Sequence, residues 1–390
     1  MSSSYRETKQ FLEQHTRVIE LADETGARVA VCPEWVGRVM TSTCGGDDGP
    51  SFGFVNREFI ESGKNDPKFN NYGGEERLWL SPEGGQFSLW FKPGQQQTFD
   101  NWLTPPALNE GAWTVAPDTG RHVCRMKTRM RLQNASATQF DVDVAREVRL
   151  LGTGLLSELF GDLAADTFAR GGADTVAYET VNRIDNRGGT FREATGMLSI
   201  WILGMFNASP QTVVVVPYRG GDVDAFGPVV KSDYFGDVPA ERLRVLPEAV
   251  LFAADGKHRA KIGTSRRRAR NVLGSIDFQS GVLTLVHFTM PDDTAEHRYM
   301  NNMWELPLAE PYRGDVANAY NDGPNESGQQ LGAFYEIESL SPATALHAGE
   351  SLEHRHRTIH VRADAETLAV LAREILGVDL ALVRKRMLPD

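Results

Sequence analysis

The sequence predicts an all-β protein, mostly antiparallel, with short helices near its ends. Three observations carry this expectation. Strand-like runs rich in Val, Ile, Thr and aromatic residues recur at roughly ten-residue intervals through the middle of the chain. The 390 residues include 37 Gly and 19 Pro, which supply the turns that many short strands need. Helical periodicity is confined to a few segments, chiefly 4–15 and the stretch after Asp364.

The elements follow in order. Residues 4–15 read as an amphipathic helix with Phe11 and Leu12 on its apolar side. Strands are expected at 18–22 and 28–32, around the turn Asp23-Glu24-Thr25-Gly26, and at 37–44. A polar stretch then ends at Gly73-Gly74. Arg77, Trp79 and Ser81 alternate with Leu78 and Leu80, so 73–91 reads as two strands around Gly84-Gly85. Residues 92–110 form a long loop with Trp102, of a length often tied to function. Further strands are expected at 113–115, 122–134, 140–151, 173–184, 196–206 and 212–217, with a helical patch at 154–169. A Gly- and Asp-rich loop spans 219–236. Strands resume at 249–253, 259–263, 273–278 and 282–290, and 299–322 reads as loop. Two more strands, 332–340 and 351–361, precede a helix that Asp364 caps and a second helical segment reaching Met387. No linker or repeat appears, so one domain over 1–390 is expected, with its core at 17–362 and a helical tail at 364–388.

Composition narrows the function. The formal net charge is −11, which argues against nucleic acid as a partner. The basic run Arg266-Arg267-Arg268 with Arg270 reads as a solvated loop or a site for an acidic group. Three cysteines without CxxC spacing look like reduced thiols. The first residues lack the apolar run of a signal peptide, and no segment approaches the roughly 18 apolar residues of a membrane span. These features predict a cytoplasmic protein with no membrane partner.

The acid-base groups concentrate between residues 330 and 361. On the first strand Phe334, Glu336, Glu338 and Leu340 share one face; on the second His354, His356, Thr358 and His360 share one. Pairing of the two runs as a hairpin would bring two carboxylates and three imidazoles onto one surface. Glu336 and Glu338, about 7 Å apart along a strand, would repel, raising one pKa and suiting a general base. The histidines could donate protons, bind a divalent metal with a nearby carboxylate, or brace the hairpin. Arg77 and Trp79 could clamp and stack on a ligand ring. Asn321 and Asp322 could hydrogen-bond hydroxyls, although Asn-Asp-Gly-Pro is also a turn sequence. Glu83 reads as a turn residue, and Lys261 as a side chain able to reach a cleft.

Several stretches resemble the aldose 1-epimerases (galactose mutarotases). The run FYEIES followed by LHAGESLEHRHRTIH is similar to the C-terminal pattern of that superfamily, and GGEERLW resembles the glycine pair that follows its catalytic histidine. From GRVMTSTCGG through NDGP to the terminal helices, the chain resembles an uncharacterised bacterial family of this galactose mutarotase-like group. The resemblance implies a β-supersandwich with a carbohydrate ligand in a concave cleft, and epimerase- or lyase-type chemistry. It places the family's general base at Glu338. The histidine before the glycine pair is Tyr72 here, and 200–206 holds no second histidine. The reading that results has Glu338 and Glu336 with His354 and His356 as catalytic groups, and Arg77, Trp79, Asn321, Asp322 and His360 as sugar contacts. No cofactor is expected. The alternatives are a non-catalytic sugar-binding protein and a metal-dependent enzyme built on His354 and His356.

Overall fold

A computed structural model describes residues 3–169, 172–291, 298–325 and 327–388. Three antiparallel sheets make up its frame. A small one joins Ile19–Ala22, Arg28–Cys32 and Arg38–Thr43. The largest has ten strands, and its centre runs Thr212–Pro217, Val272–Asp277, Val282–Phe288, Ser351–Arg362, Asp174–Asn186 and Gln139–Leu150. The third has five strands in the order Ala260–Ser265, Asp315–Asn321, Phe334–Leu340, Ser199–Asn207 and Arg77–Ser81. The expected antiparallel all-β architecture with short helices is therefore present.

The five-stranded sheet lies over the ten-stranded one. Leu78, Leu80, Ile202, Ile262, Ala319 and Ile337 share the inner core with Val144, Val176, Val214 and Val286 of the large sheet. Burial of this apolar layer is the main driving force for closing the sandwich. The far face of the large sheet is covered by helices Ala365–Leu376 and Leu380–Met387, which pack Leu371, Ala372, Ile375 and Val383 on Val213, Leu285 and Ile359. Asp364 caps the first of these helices by accepting from Thr367 N, and Gly377 ends it in the left-handed conformation. At the other end of the chain, Ser4 and Glu7 form a capping box on Tyr5–Glu13, which buries Phe11 and Leu12. No described helix is long and apolar enough to cross a membrane.

Two local expectations fail. Residues 299–322 are not all loop: Asp315–Asn321 is a strand between two neighbours of the five-stranded sheet. Its Ala and Asn residues lack β-branched character, and tertiary pairing overrides that weak preference. Phe87–Phe91 makes no ladder; Ser88 N bonds to Gly85 O and Leu89 N to Pro82 O, which curls the segment back on the preceding turn. The glycine pair at 73–74 has a steric cause. Gly73 has φ +85°, and a Cβ there would lie 2.1 Å from the Phe54 carbonyl oxygen.

The basic run is also not solvated throughout. Arg268 is fully buried, and its guanidinium donates to the carbonyls of Arg219, Gly221 and Gly227. It anchors the start of the 219–236 loop from inside.

Candidate active site

The strand Phe334–Leu340 is sorted by its alternation. Tyr335, Ile337 and Ser339 point into the sandwich, and Glu336 and Glu338 point to the outer face of the five-stranded sheet. Directly opposite residues of antiparallel strands share a face, so the register adds Asn318 and Leu203 beside Glu338, then Arg77 beyond Leu203. Lys261 enters the same face through its pairing with Tyr320, which pairs with Glu336.

These side chains meet in a tight array. Lys261 Nζ lies 3.0 and 2.8 Å from the two carboxylate oxygens of Glu338. The indole of Trp201 donates to Glu338 Oε2 at 2.9 Å. Arg77 Nη1 donates to Glu336 Oε1 at 2.9 Å, and its guanidinium sits 4.5 Å over the ring of Trp79. Trp79 packs edge-on against Trp201. Loops roof the array. Trp102, from the 92–110 loop, donates its indole N–H to Glu83 Oε1 at 2.8 Å and stacks on Trp304. Tyr234, from the 219–236 loop, donates its hydroxyl to Asp315, which also accepts from Asn318 Nδ2 at 3.2 Å.

Burial drives the electrostatics. It pushes the carboxyls of Glu83, Glu336 and Asp315 above their ordinary range; Lys261 and the Trp102 bond partly offset this at Glu83, and Arg77 does so at Glu336. Burial alone would lower Lys261, but the carboxylate of Glu338, with Glu83 and Glu336, outweighs it and raises the ammonium pKa. Carboxyls inclined to hold a proton thus lie beside a lysine inclined to keep its own.

The histidines are elsewhere. Phe334–Leu340 and Ser351–Arg362 do not form a hairpin: the first pairs with Ser199–Asn207 and Asp315–Asn321, the second with Val282–Phe288 and Asp174–Asn186. The segment 341–350 arches between the two sheets. Alternation sorted the faces, but an arch turns the histidine face inward, away from Glu336 and Glu338. His354 Nε2 and His356 Nδ1 both reach Ser339 Oγ, at 2.8 and 2.9 Å. Burial and the Arg357 charge push His354 down to about 3, and burial with His354 and Arg146 takes His356 well below the usual value. His360 is buried between Glu75 Oε1 at 2.8 Å and Thr284 Oγ1 at 2.9 Å. Among the described residues no three His, Cys, Asp or Glu side chains converge to hold a metal ion. His354, His356 and His360 thus lie in the layer between the sheets, apart from Glu336 and Glu338.

Asn321 and Asp322 also lie apart from this array, bonded to neighbouring turns. Asn321 Oδ1 accepts from Gly256 N and its amide donates to His258 O, which fixes the adjoining hairpin turn. Asp322 accepts from Leu331 N, Gly332 N and the Tyr320 hydroxyl. Tyr72 stacks on Trp35 at 4.4 Å beside Arg38, in the cluster under the first helix.

A family model described as a family of unknown function (DUF6786) matches residues 3–387. The chain belongs to this family. A search of the curated proteins finds no match. Among solved structures, this DUF6786 protein is similar to the Slr1438 protein from Synechocystis sp. PCC 6803, at 12% identity and a TM-score of 0.50 over 90% of this chain and 96% of that one. It also aligns with a galactose mutarotase-like protein from Lactobacillus casei ATCC 334 (10% identity, 89% and 100% covered, TM-score 0.46). A galactose mutarotase related enzyme from Lactobacillus acidophilus aligns at 8% identity, 90% and 99% covered and TM-score 0.47. These likenesses concern the fold.

In the DUF6786 chain, Glu336, Glu338, Arg77 and Trp79 come together on one face. Trp201, Tyr234 and Asp315 join them without having been proposed as site residues, as do Glu83, read as a turn residue, and Trp102, marked only by its long loop. Lys261, the one cation on the strand AKIGTS, joins them as the side chain expected to reach a cleft.

Proposed function

We propose that this DUF6786 protein binds a sugar or sugar derivative on the outer face of its five-stranded sheet and exchanges protons with it through Glu338 and Glu83. The observation that carries the reading is the Lys261–Glu338 pair, held at 2.8 and 3.0 Å under a roof of Trp102, Trp304 and Tyr234. Aromatic faces suit the C–H-rich faces of a sugar ring, and a few fixed polar groups among them suit its hydroxyls. The resemblance of 334–360 to the aldose 1-epimerase pattern supports Glu338 as the base.

In such a reaction Glu338 accepts the proton of the anomeric hydroxyl as that oxygen becomes a carbonyl. The bond from C1 to the ring oxygen breaks, and a protonated Glu83 delivers its proton to the departing oxygen. Rotation and reversal of both transfers give the other anomer and restore both carboxyls. Lys261 pairs with both oxygens of Glu338 between turnovers. The three cysteines, all buried free thiols, support a reducing, cytoplasmic setting.

A second reading, binding without turnover, is favoured by one fact: Lys261 and Trp201 already engage both oxygens of Glu338. Exchange NMR on a panel of aldoses, uronic acids and other oxidised sugars separates the two. Turnover should appear as accelerated exchange between anomers that Glu338→Gln reduces by about 100-fold or more. Saturable line broadening without exchange supports the second reading, and unchanged turnover in Glu338→Gln overturns the base assignment.

A further inference from the structure

On the opposite side of the five-stranded sheet from Glu338, the sandwich opens at one end into a cavity of about 510 Å³. The volume lies within the range of small-molecule sites. Its walls are aromatic. The ring of Phe52 stacks on the imidazole of His360 at 4.4 Å, and Phe206 meets the same imidazole edge-on at 5.5 Å. Its floor is polar and nearly closed to solvent. The Tyr335 hydroxyl is 2.7 Å from Ser275 Oγ, and Thr284 Oγ1 is 2.9 Å from His360 Nδ1, whose other nitrogen meets Glu75. Each hydroxyl has one donor and two acceptor positions, so a floor of hydroxyls keeps capacity for one more partner.

The mouth carries an unspent charge. Arg57 lines it, with its guanidinium 4.4 Å over the ring of Phe11. Among the described residues its side chain makes no hydrogen bond or ion pair. The acid at the mouth, Asp277, is by contrast fully engaged: it accepts from Ser209 Oγ, Gln279 N and the Ser280 hydroxyl. A guanidinium without a carboxylate, an aromatic wall and a hydroxyl floor point to three parts of one ligand.

We propose that this cavity is a second ligand site, separate from the Glu338 face, for a small aromatic carboxylate bearing a hydroxyl group. The carboxylate meets Arg57, the ring packs against the wall that carries Phe52, and the hydroxyl reaches the Tyr335 and Thr284 floor. A planar ring suits an aromatic wall because aromatic faces pack offset or edge-on. Arg suits a carboxylate because its fork of donors matches the two oxygens.

The test is titration calorimetry on the full chain with 4-hydroxybenzoate, benzoate and 4-hydroxybenzyl alcohol as probes. The expected result is saturable binding of 4-hydroxybenzoate, weaker by about tenfold, which is 1.4 kcal/mol, for either analogue. Arg57→Gln, at the mouth and away from the core, should weaken both carboxylates by a similar factor and leave the alcohol unchanged. Thr284→Val should weaken the two hydroxylated probes and spare benzoate. No saturable binding overturns the proposal, and so does binding that neither substitution alters. Binding lost in Glu338→Gln but kept in Arg57→Gln also overturns it, since that places the probe on the other face.

Discussion

Lys261 and Glu338 form a buried ion pair in which one ammonium spans both oxygens of one carboxylate, with the lysine side chain 11% exposed and the glutamate side chain fully buried. Removing one member of such a pair leaves a charge in a poor solvent, which costs more than the pair itself contributes. Lys261→Met should therefore destabilise the fold by about 3 kcal/mol. Glu338→Gln should cost less, because Gln keeps an acceptor for the Trp201 indole. The double variant Lys261→Met, Glu338→Leu should recover much of the loss. Denaturant midpoints of the three variants check this, and equal losses in all three would remove the pair from the account.

The same pair sets an alkaline limit. Lys261 has its pKa raised in the folded state, so its contribution is fully present below the unfolded value of about 10.4. It is lost as pH rises through the higher folded value. The difference in stability between the native chain and Lys261→Met should be flat from pH 7 to about 10 and shrink above that. A difference that shrinks near neutral pH would contradict the assignment.

The histidines predict an acid limit of the opposite sign. His287 and His354 are pushed down by burial to about 4 and about 3, and His356 lies well below its usual value. Unfolded histidines protonate near 6.5, so below that pH the unfolded chain binds more protons and stability falls. Each buried histidine contributes a slope of about 1.4 kcal/mol per pH unit between 6.5 and its folded value. Unfolding free energy should therefore decline steeply from pH 6 towards 4. His354→Asn, read by urea midpoints across that range, should flatten the decline by about one proton's worth.

These histidines also mark where sequence reading stops. Alternation along 334–340 and 351–361 sorted the faces correctly: Glu336 with Glu338, and His354 with His356 and His360. What alternation cannot give is the partner of each strand. A turn-rich connector such as 341–350 serves a hairpin within one sheet or an arch between two, and the choice depends on register with strands more than a hundred residues away, such as Ser199–Asn207 and Asp174–Asn186. The convergence of Glu83, Trp102 and Tyr234 was illegible for a similar reason. Each sits in a loop, and only the fold of the sheet beneath brings the three over Lys261. Arg268 read as surface because its anchors are backbone carbonyls, which every sequence has.

That anchoring makes its own prediction. Arg268→Met removes four part-buried hydrogen bonds that hold the carbonyls of Arg219, Gly221 and Gly227 to the sheet side of the loop. Amide exchange in 219–236 should speed up markedly, while Thr212–Pro217 and Ala249–Ala253, held in the sheet ladder, stay protected. Uniform deprotection of loop and strands alike would mean that Arg268 supports the whole sheet and not the loop.

Glu83 gives the proposed chemistry its most direct test. Its carboxyl is raised by burial, while the Trp102 indole, by bonding the ionised form, pulls it part of the way back. As proton donor it works only when protonated, so turnover falls as pH rises through its pKa. Glu83→Gln removes the donor and should lower the rate by about 10²–10⁴-fold. Trp102→Phe keeps the stacking ring and deletes one N–H. It should raise the Glu83 pKa and move the alkaline limb of the pH–rate profile to higher pH. A role in packing alone would change the rate and leave the limb in place. An unmoved limb in Trp102→Phe therefore rejects Glu83 as the acid, even if Glu83→Gln is inactive.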